Sequence, residues 1–175
     1  MTDPRTTRLS TPIGIRLGLL FLIILIVNGC STMQLKDFEG TSPELVIEEY
    51  FAGDTWAYGL FQNRSGQVVR QFKVHINGYW DGDDFVLDEH FDYSDGETDR
   101  RIWRLTPVGD RRYEGRADDV VGVAIGETRG QAFNFRYTLD LPWRNSSIKV
   151  NFDDWMLLQP DDKLINRATV SKFGL

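Results

Sequence analysis

The chain has 175 residues, a length that suits one domain and is short for two. Its 41% hydrophobic and 13% aromatic content excludes an intrinsically disordered or collagen-like chain, because a core can be buried. The formal net charge of -6 argues against unassisted binding to nucleic acid, which depends on a basic surface. A single Cys and two His exclude an intrachain disulfide and are too few for a typical zinc or iron–sulfur site, which leaves only oxygen ligands for a metal. No metal site and no cofactor are assigned from the sequence.

The N-terminus resembles a bacterial lipoprotein signal. Three arginines precede the apolar run 17–27, and a small residue comes directly before the single Cys. The resemblance implies that residues 1–29 are removed as a signal peptide and that Cys30 is then acylated, with palmitate as an attached lipid. Ser31 after the Cys is typical of lipoproteins sorted to the outer membrane, where the protein would face the periplasm. A retained membrane anchor is the alternative, since residues 17–35 carry no charge and approach the roughly 20 residues that span a bilayer.

Residues 30–55 are predicted to be a tether that includes one short helix. Apolar residues within 42–52 recur at helical spacing, with Ser42 in a position to cap the helix and Pro43 as its first residue. The remaining residues, 56–175, are predicted to form a single domain, because no repeat or linker interrupts them.

The rest of the chain has the pattern of β-strands and turns. Apolar and polar residues alternate in runs such as 72–76 and 133–141, which is the period of a half-buried strand. Turns rich in Gly and Asp separate about eight or nine such runs, so consecutive strands are expected to pair as antiparallel neighbours. This predicts an all-β, up-and-down barrel of the lipocalin or calycin kind, wide enough to hold one small ligand. A β-sandwich is the alternative, because it also buries one face of each sheet.

Several stretches of the chain carry a family resemblance. They are residues 48–51, 87–91, 95–101, 113–122, 152–156, 166–168 and 172–174. Together they resemble the bacterial lipoprotein family DUF3833, and 113–122 and 152–156 are the most specific of them. The resemblance implies a lipocalin-like barrel on an acylated N-terminus, and no established biochemical activity.

Charged residues fall on the predicted apolar face. Alternation along the strands places three carboxylates there, Glu89, Asp119 and Asp154, together with Arg101 and Arg167. Each such charge would be costly if it were buried without a partner. One interpretation is that they form satisfied pairs, since the turn after Glu89 would place Arg101 directly opposite it.

The other interpretation is a ligand site. Arg101 or Arg167 would neutralise an anionic head group, and aromatic side chains would surround an apolar tail. These aromatic side chains are Trp56, Trp103, Phe133, Phe135 and Tyr137. Trp56 with Arg167 also resembles the Trp and Arg that close lipocalin barrels. Plain core packing is the alternative role for the same aromatic residues.

These features predict an outer-membrane lipoprotein that binds or handles an amphiphilic lipid or fatty acid. One alternative is an accessory or catalytic protein of lipid modification, with Glu89 or Asp154 as the acid or base. Another is a structural interaction module of the cell envelope with a filled interior. No nucleophile motif is present in the sequence, so no catalytic residue is assigned. The expected partners are the membrane, through acylation, and a lipid.

Overall fold

The computed structural model describes residues 32–172. The predicted signal peptide, 1–29, and the predicted acylation site, Cys30, lie outside the described residues, as do residues 173–175. No helix in the described range combines the length and the apolar character that crossing a membrane requires. The residues from Leu35 onward form one compact unit.

Nine antiparallel strands make up most of the described chain. They are β1 (Gly53–Gln62), β2 (Val68–Asp81), β3 (Asp84–Tyr93), β4 (Thr98–Pro107), β5 (Arg112–Arg116), β6 (Ala124–Arg129), β7 (Ala132–Trp143), β8 (Ser146–Leu158) and β9 (Leu164–Ser171). Each strand pairs with the next one along the chain. This confirms the all-β, up-and-down fold that the alternation predicts. The sandwich alternative does not apply, because all nine strands belong to one continuous sheet.

The sheet curls into a half-barrel with a concave face and an outer face. Cross-strand partners share a face, and the series Ile76, Glu89 and Arg101 crosses β2, β3 and β4 on the concave side. The buried hydrophobic cluster lies on this concave face. Within residues 32–172 no strand pairing joins β1 to β9, so both are free edges of the half-barrel.

The segment 35–52 covers one end of the half-barrel and also reaches the outer face, where the ring of Phe38 lies 6.0 Å from that of Trp155. It contains a 3-10 turn, Leu35–Phe38, and one short helix, α1 (Ile47–Tyr50). Three of its apolar side chains are at most 5% exposed and belong to the core: Leu45, Ile47 and Phe51. Much of the predicted tether, 30–55, is therefore packed structure.

Two backbone contacts hold this segment across the end of the sheet. The Leu45 N–H donates a hydrogen bond of 2.8 Å to the carbonyl of Gly130, in the turn between β6 and β7. At its other side, Ala52 forms a bridge with Gly78 of β2. A Cβ atom at Gly78 would collide with the Phe51 carbonyl oxygen, so only glycine allows this close approach. We call this end of the half-barrel the closed end, and the opposite end the open end.

The helix predicted over 42–52 is shorter in the structure. Val46 is still extended, with φ of -109° and ψ of 116°, so the helix does not begin at Ser42 or Pro43. The physical reason is the hydrogen bond from the Leu45 N–H to the Gly130 carbonyl in the β6–β7 turn, which ties the backbone before the helix to the sheet.

The closed half of the concave face is filled with apolar side chains. Phe85, Leu105 and Phe133 are each at most 2% exposed. The ring of Phe133 lies directly over Gly126, where a Cβ atom would come within 2.6 Å of the ring. This part of the interior is therefore occupied by the protein itself.

Candidate functional site

A group of polar side chains crosses the middle of the concave face, beside the filled core. Glu89 and Arg101 stand opposite each other on β3 and β4. Tyr137 and Asp154 come from β7 and β8, and Asp119 comes from the loop between β5 and β6. We call these five residues the polar belt. No group of three or more His, Cys, Asp or Glu side chains within 32–172 is arranged to hold a metal ion.

The arginine of the polar belt is bound by an aspartate. Arg101 Nη2 donates to Asp119 Oδ2 at 2.7 Å, and Arg101 Nε lies 3.2 Å from both carboxylate oxygens. The loop that carries Asp119 is itself attached to β7, because the Asp140 N–H donates to the Asp119 carbonyl at 2.8 Å. The fork of Arg101 is thus occupied by a well-positioned bidentate partner.

Glu89 stands opposite Arg101 in the sheet register, as the alternation predicts. The predicted ion pair between them is wrong, because the guanidinium of Arg101 turns to Asp119 instead. In the part of the chain that the structure describes, no side chain or backbone group donates a hydrogen bond to the Glu89 carboxyl. Burial raises the pKa of Glu89 to about 7, against the opposing effect of Arg101 and with a further increase from Asp154. Some of its side-chain surface still meets solvent.

Asp154 is the most deeply buried carboxyl of the polar belt, at 7% exposure. The Tyr137 hydroxyl donates to Asp154 Oδ2 at 2.7 Å, whereas Oδ1 is buried without a hydrogen-bond donor. Burial raises the pKa of Asp154, and the neighbouring donors Tyr137 and Asn166 partly oppose this. The Asn166 amide donates its hydrogen bond to the Trp155 carbonyl, at 3.3 Å. Burial and the adjacent carboxylate raise the pKa of Tyr137, so its hydroxyl stays protonated and remains a donor.

Apolar side chains continue from the polar belt to the open end. They come from β1 to β3 on one side and from β8 and β9 on the other: Phe61, Phe72, Phe91, Tyr93, Phe152 and Val170. Phe61 and Val170 are 40% and 48% exposed, and the other four are half-buried. We call this surface the open trough. Because the Asp119 side chain is 31% exposed, the polar belt can be reached by solvent.

Four of the predicted aromatic site residues do lie on the concave face. Phe133 and Phe135 are packed in the closed half, at 2% and 4% exposure. Trp103 stands between the two regions, with ring centroids 4.8 Å from Phe135 and 5.0 Å from Tyr137. Their mutual contacts fit the core-packing alternative for Phe133 and Phe135, whereas Trp103 and Tyr137 border the polar belt.

Trp56 lies on the outer face, not in the predicted site. Its cross-strand partner is His75, and the two rings stack at 4.4 Å. The neighbouring pair Ala57 and Val74 faces the core, so alternation turns Trp56 outward. Trp56 is 52% exposed, with the Lys73 ammonium 4.0 Å from its ring centre.

Arg167 is also on the outer face, and its predicted interior position is wrong. It pairs with Trp155, while the next pair along, Asp154 with Ala168, faces the concave side. The pattern of β9 is nearly uniform in exposure, so its sequence alternation could not establish which residues point inward. The resemblance of Trp56 and Arg167 to a barrel-closing pair therefore does not hold.

Sequence reasoning did not recognise the hydrogen bond between Tyr137 and Asp154, although alternation placed both residues on the apolar face. β7 and β8 pair with Phe135 opposite Asp154, so Tyr137, two residues further along β7, lies beside Asp154 on the same face. It also did not single out Phe61, Phe91 or the rest of the open trough. The same alternation places these residues on the concave face, but their exposure at the open end follows only from the curvature of the sheet.

Comparison with known proteins places the chain in a family without adding a function. No protein of curated function and no solved structure matched the chain significantly. Residues 24–175 match the model of DUF3833, described as a protein of unknown function, and the match covers most of the chain. The chain therefore belongs to the DUF3833 family.

Proposed function

We propose that this protein is a lipid-anchored component of the bacterial envelope that binds an amphiphilic lipid on its concave face. The observation that carries the proposal is the junction of two surfaces. An open apolar trough ends on a polar belt in which one buried oxygen of Asp154, Oδ1, has no hydrogen-bond donor and the Glu89 carboxyl accepts none within residues 32–172. A concave apolar surface with a few fixed polar groups is the usual pattern of a small-ligand site.

The apolar part of the ligand would lie along the open trough. Phe61 and Val170 expose much of their apolar surface, whereas the apolar side chains of the closed half are buried. Covering such surface gains about 25 cal/mol per Å² of apolar area removed from water. An acyl chain is a suitable occupant because it needs no hydrogen-bond partners.

The polar part of the ligand would meet the polar belt. A fatty-acid carboxylate is a poor candidate there, because Arg101 is held by Asp119 and Arg167 lies on the outer face. We therefore propose that the ligand is an amphiphilic lipid other than a fatty acid.

Matched substitutions on β9 test binding of a lipid. Val170 and Ile165 are both exposed β-branched residues, at 48% and 55%, and they lie on the concave and outer faces respectively. Native mass spectrometry of the full-length protein released from detergent should show a co-purified lipid. Val170→Glu should lower its occupancy several-fold, and Ile165→Glu should leave the occupancy unchanged. Equal occupancy in both variants would contradict a site in the open trough.

The membrane attachment is proposed to be acylation of Cys30, at the outer membrane and facing the periplasm. The basic N-terminal region, the apolar run 17–27 and the following Cys support it. Two or more acyl chains suffice for stable anchoring. Cys30→Ser should abolish metabolic labelling with palmitate and leave an uncleaved precursor. Persistent labelling of that variant would contradict the proposal.

A second function, acid–base chemistry on the bound lipid, is favoured by one observation. Glu89 has no hydrogen-bond partner in the described range and a pKa raised to about 7, which suits a general acid or base near neutral pH. This function predicts turnover of an added lipid that Glu89→Gln abolishes while lipid occupancy stays unchanged. Turnover that persists in the variant would exclude this role for Glu89.

A further inference from the structure

The polar belt holds more negative than positive groups. It contains three carboxyls, Glu89, Asp119 and Asp154, and a single guanidinium. Asp119 already neutralises Arg101 through their bidentate contact, in which the shortest distance is 2.7 Å. The other two carboxyls therefore have no cation of their own among these five residues.

A second arginine near the open trough does not change this balance. Arg70 lies over the Tyr93 ring, 3.6 Å from its centre, at the open end. Its Nε is 2.7 Å from Asp95 and its Nη2 is 2.6 Å from Glu97. The charge of Arg70 is thus bound by the β3–β4 turn rather than offered to the polar belt.

Two acceptor groups of the polar belt lack donors. Asp154 Oδ1 is fully buried without a hydrogen bond, in a residue that is 7% exposed. Glu89 accepts no hydrogen bond within residues 32–172, although part of its surface meets solvent, and it is near enough to Asp154 for the two carboxyls to repel each other. A buried carboxylate oxygen without a donor is costly, so a ligand that supplies donors would be stabilised there.

We infer that the polar belt selects an amphiphile with a cationic head group, of the alkylammonium class, over an anionic or neutral one. This inference rests on the proposed function, because it names the head group of the same bound amphiphile. A primary ammonium carries three N–H donors and a positive charge, which matches the Glu89 carboxyl and the Oδ1 atom of Asp154. The rings of Trp103 and Tyr137, 5.0 Å apart, border the polar belt and would add a cation–π contribution.

The protonation of Glu89 supports this preference and gives it a pH dependence. Its pKa is raised to about 7 by burial, against the effect of Arg101, with Asp154, Asp119 and Asp88 raising it further. Tyr137 faces the same group and stays protonated. A bound cation would lower the pKa of Glu89, so by linkage the cation should bind more tightly above pH 7 than below it.

Three short amphiphiles of equal chain length test the inference. The full-length protein, purified in a neutral maltoside detergent, is titrated calorimetrically at pH 8 with octylammonium, octanol and octanoate. Octylammonium should bind at least ~10-fold more tightly than octanoate, about 1.4 kcal/mol, with octanol between them. Lowering the pH to 5.5 should weaken octylammonium binding several-fold and leave octanol unaffected.

Substitutions then locate the preference. Glu89→Gln should reduce octylammonium affinity about 10-fold without changing octanol affinity, and Asp154→Asn provides a second variant with the same expectation. The matched control is Asp92→Asn, which removes a carboxylate from the outer face of the same strand as Glu89 and should change nothing.

The outcomes separate the two proposals. If octanoate binds as tightly as octylammonium, or if both interior variants keep the wild-type preference, the head-group inference is overturned while amphiphile binding stands. If none of the three compounds binds to the folded protein, the proposed function fails, and the head-group inference fails with it.

Discussion

The two halves of the concave face follow the same alternation but differ in how completely they are packed. In the closed half, Phe85 and Phe133 are at most 2% exposed, whereas Phe61 and Val170 in the open half are 40% and 48% exposed. The difference comes from residues 45–51, whose apolar side chains fill one end of the half-barrel and do not reach the other. A single sheet thus provides both a stable core and an accessible surface.

The comparison shows where stability and binding are separated in this protein. Side chains in the closed half make their contacts within the fold, so truncating one of them should lower the free energy of unfolding. Those in the open half lack some of these contacts and are available to a ligand, as is usual for binding regions. The polar belt lies between the two halves, so substitutions in it should affect both the stability of the fold and the binding of a ligand.

The largest expected effect is truncation of a closed-half aromatic residue. Phe133→Ala should lower the free energy of unfolding by about 3–5 kcal/mol, because a buried ring leaves a cavity against Gly126. Phe61→Ala in the open half is the comparison and should cost less than about 1 kcal/mol. Equilibrium urea unfolding measures both. Equal losses would contradict the distinction between the halves.

The polar belt should make stability depend on pH in a defined direction. The folded pKa of Glu89, about 7, lies above the ordinary value of 4.5, so the folded state binds more protons between these limits. Its protonation therefore stabilises the fold below pH 4.5, and this contribution is lost as the pH rises to 7. Between pH 5 and pH 8 this loss should lower the free energy of unfolding of the wild type by about 2 kcal/mol, and Glu89→Gln should abolish it. Urea unfolding at the two pH values measures both.

Asp88, next to Glu89 on the outer face, is the control for this pH effect. Hydrogen bonds from Arg100 lower the pKa of Asp88, so its contribution is lost only as the pH falls below the usual carboxyl range. Asp88→Asn should therefore keep most of the wild-type change between pH 5 and pH 8, since Asp88 has the smallest of the stated effects on the pKa of Glu89. If the two variants have the same pH profile, Glu89 does not titrate as described.

Two arginines on β4 sharpen the contrast between the faces. Arg101 binds Asp119 on the concave face with side-chain exposures of 20% and 31%, while Arg104 binds Asp81 on the outer face with exposures of 46% and 56%. Arg101→Met should cost about 1–2 kcal/mol, because it leaves a partly buried carboxylate without its cation. Arg104→Met should have little effect on the free energy of unfolding, since exposed pairs contribute little. A larger loss from Arg104→Met than from Arg101→Met would overturn this ranking.

The smallest expected effect concerns a single hydrogen bond in the polar belt. Tyr137→Phe removes the 2.7 Å donor to Asp154 and should cost about 1 kcal/mol in thermal or urea unfolding. Tyr58→Phe, at a position 76% exposed, should have no measurable effect. An unchanged stability in the Tyr137 variant would mean that water replaces the lost donor.

The sequence predicted the faces of the central strands because their alternation is strong. Glu89, Arg101 and Asp154 lie on the concave face as expected, and Glu89 is opposite Arg101. The same reasoning was wrong for Arg167, because β9 is an edge strand with nearly uniform exposure and little contrast in its pattern. The alternation is informative where one face is buried and weak where both faces meet solvent.

The number of strands, their order and the all-β architecture were determined by the sequence itself, since short turns leave consecutive strands few choices but to pair as neighbours. Only the tertiary structure decided that Asp119 rather than Glu89 holds Arg101, and that residues 45–51 fill one end of the interior. The reason is distance along the chain: alternation and turns are local, whereas these contacts join residues whose proximity depends on the curvature of the whole sheet.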